Sequence, residues 1–557
     1  MKKALLIFGL TLCGMSIQMH ADATLNLTPA PQQLVAKKGT LTLPQHITIS
    51  VSPTLTDTTW REAQQFATYL CNEHHAASAV ALRAAKKPIV TLLPAAAKAP
   101  LGTEGYQMDI TPRGITIKAH ATAGFYYGMQ SLKKMLIAED GAGLTLPCVS
   151  ITDSPRFGYR GFMLDCSRHF WPMEELKKII DIMALYKMNV FHWHLTDDQG
   201  WRAEIKKYPR LTTIGATAAN CRLTDFEHGT YWTNEPYGPY FYTQQQMREL
   251  VRYAAERHIS VLPEVDMPGH FCAAMAAYPE FSCNPKGEHT VPTHQGGVWN
   301  DVMNVSNPRA VQFVKDIIDE LCDIFPYPYF HIGGDECPTT AWEGNADCKA
   351  LVEQLGLPNF RHLQSRFINE ISGYLREKGR TTVMWNESVT AKGADLNLVK
   401  EHNPLVMSWH PCQEGVRTAT ELGLQAIVTE YHAKAPGESG WGGYYINRRP
   451  SKAADVPDGA GHGDDTVEGC YKYIPVPAEL PAAQASRVSG VQATFWCEWV
   501  GVPEYLEYLL LPRLIAVAEA GWTPEARKDY DDFIRRMTLD TRFFDRAGYN
   551  YHRHWMK

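Results

Sequence analysis

The stretch of this chain whose residue types and spacing point most directly to chemistry runs from Tyr329 to Glu336. A short apolar segment leads into two glycines, and two adjacent carboxylates, Asp335 and Glu336, follow them. Glycine lets a backbone bend and leaves space for a close approach. Neighbouring acids at a strand end repel each other, which favours a raised pKa for one of them and hence a general acid. The alternative is an exposed acidic turn, and the rest of the chain decides between the two.

A strand–helix pattern that repeats eight times from about residue 153 is expected to position this stretch. Apolar runs alternate with segments of helical periodicity, for example over Met173–Tyr186 and Pro308–Ile324. This repeat predicts an α/β fold, a closed (β/α)8 barrel of parallel strands. The predicted strands are Gly161–Asp165, Asn189–Leu195, Ile259–Val265, Tyr329–Gly333, Thr382–Trp385, Leu405–Trp409, Gln425–Thr429 and Gly490–Trp496.

Polar and aromatic residues follow the ends of these predicted strands. In a (β/α)8 barrel the groups that carry activity lie at the C-terminal ends of the strands. The candidates at those positions are Arg168, Asp197, Asp198, His270, Asp335, Glu336, Trp385, Trp409, Trp496 and Glu498. Because these candidates fall at one rim, the barrel and a catalytic site there support each other.

The adjacency of the two acids favours one kind of glycosidic chemistry. Retaining and inverting glycosidases normally place two carboxylates on opposite sides of the scissile bond, about 5 or 6.5–9.5 Å apart. Consecutive residues such as Asp335 and Glu336 suit that arrangement poorly. In an alternative mechanism, the oxygen of the substrate's own 2-acetamido group attacks the anomeric carbon. One carboxylate then orients and polarises the amide N–H, while its neighbour protonates the leaving oxygen.

Four runs of the sequence resemble the motifs of family 20 glycoside hydrolases, the exo-acting β-N-acetylhexosaminidases. These runs are Leu164–Phe170, His192–Trp201, Pro263–His270 and His331–Glu336. The likeness extends from about Pro29 to Trp522 and keeps the motifs in order. It implies a retaining, substrate-assisted release of terminal β-linked N-acetylglucosamine or N-acetylgalactosamine.

The resemblance also implies roles for individual residues. Glu336 is expected to be the acid, and later the base that activates water, while Asp335 holds the acetamido group. Arg168 is expected to bind the outer hydroxyls of the sugar, a task that its planar donor fork suits. Asp197 and His270 are expected to tune Glu336 from behind. The remaining expected contributors are His331, beside that pair, and Trp385, Trp409, Trp496 and Glu498, which enclose and bind the sugar.

One motif departs from the family pattern. The family usually has Tyr-x-Asp after the seventh strand, where the tyrosine hydroxyl helps to hold the acetamido oxygen. The best match here is Tyr445-Ile446-Asn447, in which an amide replaces the acid. Tyr444 competes with Tyr445 for the tyrosine role, and Asn447 is the expected hydroxyl contact.

Three alternatives stand beside this interpretation. His192 and His194 point to one face of the second strand and, with nearby acids, suggest a metal site, but the ligand spacing does not support one, so no metal or cofactor is expected. Glu430, just past the seventh strand, offers a protein nucleophile opposite Glu336. The aromatic residues also fit a non-catalytic protein that binds amino sugars.

The N-terminus has the pattern of a signal peptide over residues 1–21. Lys2 and Lys3 precede an apolar run to about Ile17, and Ala21 offers a cleavage point. The run is too short to span a bilayer, and no other span is predicted. We therefore expect an exported protein, periplasmic or extracellular, with a lipoprotein site at Cys13 as the second interpretation.

Two domains are predicted after this segment: a small α+β domain over residues 22–152, then the barrel over residues 153–557 with a C-terminal helix over Pro524–Met537.

The net charge of −6, with mixed signs, does not indicate a surface that binds nucleic acid. The expected partner is a glycan with a terminal amino sugar. Two cysteine pairs, Cys272/Cys283 and Cys337/Cys348, are close enough in sequence to form disulfides, and other connectivities remain open.

Overall fold

A computed structural model of the chain describes residues 25, 27–73, 76–136, 145–293, 296–430, 433–434, 441–447, 466–553 and 555. The predicted signal peptide over residues 1–21 lies outside them. The chain divides into two compact units. One unit runs through Arg156 and includes Trp522–Gly548, and the other comprises Phe157–Gly521 with Tyr549–Lys557.

The first unit is built on a seven-stranded sheet of mixed direction. Within it Tyr106–Thr111 pairs antiparallel with Gly114–Ala119 as a hairpin. Helices Asp57–Glu73 and Thr122–Leu136 pack against the sheet and against each other. The strands are Gln33–Thr42, His46–Val51, Ser78–Arg83, Val90–Pro94, Tyr106–Thr111, Gly114–Ala119 and Thr145–Asp153.

The C-terminal helix differs from its prediction in both extent and domain. It spans Tyr530–Ala547, after a 3-10 turn over Glu525–Arg527, because the Asp529 side chain caps its first turn. It belongs to the compact unit of the N-terminal sheet and not to that of the barrel. Within that unit Asp540 forms a fully buried ion pair with Lys134, and such a pair has no local signature in the sequence.

The second unit contains the predicted closed barrel of eight parallel strands, which confirms the fold class. Each strand lies within about two residues of its predicted bounds. Their side chains are buried almost throughout, as expected for a parallel sheet that is covered on both faces. The strands are Tyr159–Asp165, Val190–His194, Ser260–Glu264, Tyr329–His331, Thr381–Trp385, Leu405–Ser408, Gln425–Val428 and Val488–Phe495.

Helices connect the barrel strands. Gln244–Ala255 begins at a reciprocal capping box that Thr243 and Gln246 form. The helices described in this unit are Met173–Leu185, Arg210–Thr213, Gln244–Ala255, Cys272–Ala277, Pro308–Ile324, Thr340–Gly344, Ala346–Leu355, Arg361–Glu377, Glu387–Thr390, Leu396–Lys400, Cys412–Glu421, Val467–Lys472, Ala482–Ala485 and Pro503–Leu510, together with Arg513–Trp522 except for its last residue. Short hairpins are formed by Thr196–Asp197 with Gly200–Trp201 and by Arg222–Asp225 with Gly229–Trp232.

Across the described ranges, no helix has the length and apolarity needed to cross a membrane. The cysteines in those ranges are free thiols. The Cys283 thiol shares a hydrogen bond with Cys348, and Cys283 is not bonded to Cys272. The Asn345 side chain also links the two residues, through the Cys283 carbonyl (2.8 Å) and the Cys348 N–H (2.9 Å).

Candidate active site

The backbone between the fourth barrel strand and the two acids is unusually bent. The strand ends at His331, two residues earlier than predicted, because Gly333 and Gly334 adopt positive φ angles of 69° and 91°. A Cβ on Gly333 would lie 1.7 Å from Asp266 Oδ1, so the backbone passes directly over that carboxylate. Glu336 also has a positive φ, 40°, which a residue with a Cβ adopts at a cost.

The two adjacent acids lie in different environments. Asp335 is 6% exposed, and its Oδ1 has no hydrogen-bond partner among the described residues. Burial, reinforced by the charges of Glu387 and Glu336, raises the pKa of Asp335 to about 7. The side chain of Glu336 is 42% exposed, and its hydrogen bond with His270 holds its pKa below the usual value. The raised pKa expected for the general acid therefore falls on its neighbour.

A histidine–carboxylate network supports Glu336 from behind. His270 Nε2 lies 3.4 Å from Glu336 Oε2, and its Nδ1 lies 2.9 Å from Asp198 Oδ2 and 3.2 Å from Asp197 Oδ1. Burial alone would lower the pKa of His270, but these carboxylates raise it well above its usual value. The structure thus brings together the predicted pair, Asp197 and His270, and adds Asp198 as the closer partner.

Arg168 lies at the end of the first barrel strand in a pocket of acids. Its guanidinium donates to Gln199 Oε1 (2.9 Å) and Asp165 Oδ2 (3.3 Å) and lies 2.9 Å from Asp197 Oδ2. Glu498 Oε1 is 3.9 Å away. Burial raises the pKa of Glu498 to about 7 although Arg168 opposes the shift. Sequence reasoning missed Asp165 and Gln199, both of which lie within the motif runs that carry the family resemblance.

Glu264 is a further buried acid that sequence reasoning missed as a site residue. Its carboxylate contacts His194 Nδ1, His192 Nε2 (3.0 Å) and His331 Nδ1 (2.9 Å) and accepts the Trp385 indole N–H (2.8 Å). Burial would lower the pKa of His194, but Glu264 and Asp197 raise it to about 10. Burial lowers the pKa of His192 to about 4. His331 thus acts through Glu264, one layer below the two adjacent acids.

The predicted aromatic residues differ in depth. Trp385 is fully buried, whereas Trp409 and Trp496 are partly exposed. Trp496 stacks under the Arg168 guanidinium, 5.1 Å from the ring centroid to Cζ, and its own ring lies 6.0 Å from that of Trp385. Trp385 therefore forms the base below the partly exposed tryptophans.

The choice between the two tyrosines follows from their neighbours. Tyr445 stacks on Trp409 with centroids 6.1 Å apart and also contacts Trp496 at 6.4 Å. Tyr444 points to Tyr473 instead, at 5.1 Å. Asn447 donates to the Trp496 carbonyl (2.9 Å), while its Oδ1 is buried with no partner within the described ranges. Trp409, Tyr445 and Trp496 thus form one aromatic wall, and Asn447 is bonded to it.

Glu430, the candidate protein nucleophile, is engaged elsewhere. Its side chain is buried and accepts a hydrogen bond from the Tyr473 hydroxyl (2.9 Å). Tyr473 contacts Tyr444, whereas the neighbouring Tyr445 stacks on Trp409. The carboxylate therefore contacts the residues behind the aromatic wall.

Three groups of described residues bring possible metal-ligand atoms within 4.8 Å of one another. Their carboxylates already contact histidine or backbone groups of the acid–base network described above. The groups are His192/Glu264/His331, Asp197/Asp198/His270 and Asp266/His270/Asp335.

The parallel barrel with acids, arginine and tryptophans at its C-terminal rim defines the class of (β/α)8 barrels with a carbohydrate-type site. Residues 157–525 match the model of the glycosyl hydrolase family 20 catalytic domain, and residues 24–154 match domain 2 of the same family. The chain belongs to glycosyl hydrolase family 20.

Similar proteins support this membership. A beta-hexosaminidase of Porphyromonas gingivalis is 37% identical over 541 residues, 95% of this chain, which spans 65% of that relative's length. A beta-hexosaminidase of Akkermansia muciniphila is 32% identical, with 81% of this chain and 85% of the relative covered. Among solved structures, a family 20 exo-beta-N-acetylglucosaminidase from Vibrio harveyi in complex with N-acetylglucosamine has a TM-score of 0.79 and 29% identity, and covers 96% of this chain and 79% of its own.

Proposed function

We propose that this chain is an exo-acting β-N-acetylhexosaminidase that uses the 2-acetamido group of its substrate as the nucleophile. The observation that carries the proposal is the contrast between Asp335, buried with an unpartnered oxygen among the described residues, and the more exposed Glu336 beside it. A buried acceptor suits an amide N–H, and an exposed acid suits a leaving group that departs towards solvent.

In the first step the acetamido oxygen bonds to the anomeric carbon while the bond to the leaving oxygen breaks. Glu336 gives its proton to that oxygen, and Asp335 accepts the amide N–H, whose positive charge grows as the ring closes. In the second step water attacks the anomeric carbon, Glu336 takes its proton, and the acetamido group reopens. Two inversions at one carbon give net retention.

The position of Arg168 supports an exo mode of action. A guanidinium already held by three oxygens is fixed before substrate arrives, so its position can select a terminal sugar at small entropic cost. Asn447, with its free carbonyl oxygen in the described structure, offers a further hydroxyl contact. Trp409, Trp496 and Tyr445 would enclose the ring and the acetamido methyl.

The named activities of the relatives support this proposal. The Vibrio harveyi structure is of an exo-beta-N-acetylglucosaminidase bound to N-acetylglucosamine. A Streptomyces plicatus N-acetyl-beta-hexosaminidase with a TM-score of 0.77 was solved with Thio-NAglucal. The rival mechanism with Glu430 as nucleophile is less well supported, because that carboxylate bonds Tyr473. A protein that only binds sugars is also less well supported, because binding alone does not require the contact between His270 and Glu336.

A release assay tests the proposal. The protein is given the 4-nitrophenyl β-glycosides of N-acetylglucosamine and N-acetylgalactosamine, the matched 2-hydroxy glucoside, and a short panel of glycans. We expect turnover of at least one amino sugar and almost none of the 2-hydroxy glucoside. We also expect strong inhibition by a thiazoline mimic of the cyclic intermediate. Free hydrolysis of the 2-hydroxy glucoside would contradict the substrate-assisted mechanism, and no turnover of any amino sugar would contradict the enzyme.

We also propose that the chain is exported, on the basis of Lys2, Lys3 and the apolar run that follows. N-terminal sequencing of the mature protein recovered from a secreting host tests this. A start near Ala21 is expected, and recovery of the intact N-terminus in the cytoplasm would contradict export.

A further inference from the structure

Glu387 is a carboxylate at the site that neither the motifs nor the proposed roles use. It begins the short helix Glu387–Thr390, two residues after the fifth barrel strand ends at Trp385. Its Oε2 accepts the backbone N–H of Glu336. A hydrogen bond from an N–H to a charged carboxylate is stronger than one to a neutral acceptor.

The backbone that this bond holds is strained. Glu336 has a φ of 40°, and a non-glycine residue keeps such a conformation only where its surroundings impose it. Other bonds fix the residues on either side: the Gly334 carbonyl accepts from Gln364 Nε2 (2.9 Å), and the Cys337 carbonyl accepts from Arg361 Nη1 (2.8 Å). The bond that the Glu336 N–H donates to Glu387 holds the amide of the acid itself.

The charge of Glu387 also acts on the ionisation of Asp335. The groups that act on Asp335 are the cation of His270, which lowers its pKa, and the anions of Glu387, Glu336 and Glu264, which raise it beyond the effect of burial. Asp266 lies against the same carboxyl. The charged groups that face Glu387 are Glu336, His270 and Arg361, and burial raises its own pKa.

We propose that Glu387 is a positioning residue with two tasks: its carboxylate holds the Glu336 backbone in the left-handed conformation, and it places a negative charge at the amide that joins Glu336 to the buried Asp335. This inference rests on the proposed function, because it assigns Glu336 as the acid and Asp335 as the acetamido clamp. A purely structural role in the first turn of its helix is the alternative. That helix has four residues, so its dipole offers little to a carboxylate.

Two variants and a control separate these roles, with kcat/KM measured from pH 4 to 9 on the 4-nitrophenyl amino sugar that the wild type prefers. In Glu387→Gln the amide oxygen still accepts the Glu336 N–H, but the like charge beside Asp335 is gone. The alkaline limb of kcat/KM should therefore move to lower pH while the plateau stays within about tenfold of wild type. In Glu387→Ala the acceptor is also lost, and kcat should fall about ten- to hundredfold with little change in KM.

Glu343→Gln is the matched control, because Glu343 lies on the helix Thr340–Gly344 and bonds Thr339 at the surface. It should keep both the limb and kcat. An unmoved alkaline limb in Glu387→Gln would overturn the electrostatic task, and a kcat for Glu387→Ala equal to that of the control would overturn the backbone task. If Glu387→Ala does not fold, Glu387→Met, which keeps the length of the side chain but has no oxygen acceptor, takes its place in the test of the backbone task. A wild type without turnover would contradict the proposed function itself, whereas an active wild type with unaltered variants would contradict only the role of Glu387.

Discussion

The protonation states of Asp335 and Glu336 make a specific prediction about pH. The mechanism needs Glu336 protonated and Asp335 ionised, yet Asp335 has a pKa of about 7 and Glu336 one below its usual value. Between these two values the pair holds one proton, mostly on Asp335. The productive form, with that proton on Glu336, is therefore a minor but constant fraction of the enzyme across this range.

The consequence for catalysis is a plateau of kcat/KM that ends at about pH 7, where the pair loses its last proton. Above that point kcat/KM should fall tenfold per pH unit, to about one hundredth of the plateau at pH 9. The acid limb should lie below the usual glutamate range, because His270 lowers the pKa of Glu336. The assay is initial-rate release of 4-nitrophenol at substrate concentrations below KM, which reports the free enzyme.

Asp335→Asn provides the test of assignment. It should lose most activity, and its residual kcat/KM should lack the limb near pH 7 and fall from the lower pKa of Glu336 alone. A wild-type kcat/KM that stays level or rises from pH 7 to 9 would refute the reasoning. So would an unchanged limb in the variant.

The variant Asp335→Asn should gain stability although it loses activity. The pKa of Asp335 is raised in the folded state, so its contribution to stability is fully present below the unfolded pKa and is lost as pH rises through about 7. The shift from 3.8 to about 7 corresponds to about 4 kcal/mol. Asp335→Asn should therefore unfold at a higher temperature than wild type at pH 8, and the difference should shrink towards pH 4.

The same protein preparations test the other roles. Glu336→Gln should slow release from glycans by ~10²–10⁴-fold and affect activated aryl leaving groups less, because these need little protonation; near-normal turnover of glycans would remove Glu336 from the role of acid. Arg168→Lys should lower kcat/KM by roughly ten- to thousandfold despite its charge, because an ammonium cannot reach the three oxygens that the guanidinium contacts. Early products longer than one sugar in a wild-type digest would contradict the exo mode. Glu430→Gln should keep turnover within about tenfold, since its carboxylate bonds Tyr473; a covalent 2-fluoro-sugar adduct on Glu430 would show that the protein supplies the nucleophile.

The barrel could be predicted from the sequence because its signals are local. Each strand contains a short apolar run with polar or aromatic residues at its end or just beyond it, and a run such as Leu405–Ser408 carries that pattern without help from distant residues. The helix Pro308–Ile324 has its predicted bounds, and its start is marked locally by the Asn307 cap and by Pro308 in the first turn. The C-terminal helix was placed wrongly in extent, because Pro524 opens a 3-10 turn and Asp529 caps the helix proper.

The site residues that could be predicted are those that follow a strand end or belong to a family motif. Glu264 and Glu387 were missed because their roles depend on partners that lie far away in the chain: Glu264 meets His192 and Glu387 meets Glu336. The sequence also could not predict which of the two adjacent acids has the higher pKa. It depends on burial of Asp335 and on the contact between Glu336 and His270, and neither is visible in their adjacency.

The Glu264 carboxylate has a consequence for how such a sequence can change over time. It sits on the third barrel strand and contacts side chains from the second, fourth and fifth, each of which would lose a buried partner if it were replaced. A single substitution at any of these positions leaves the others mismatched, so their mutational effects cannot be additive. These positions are therefore expected to change together in evolution, and a viable replacement of Glu264 would require compensating changes on the second, fourth and fifth strands.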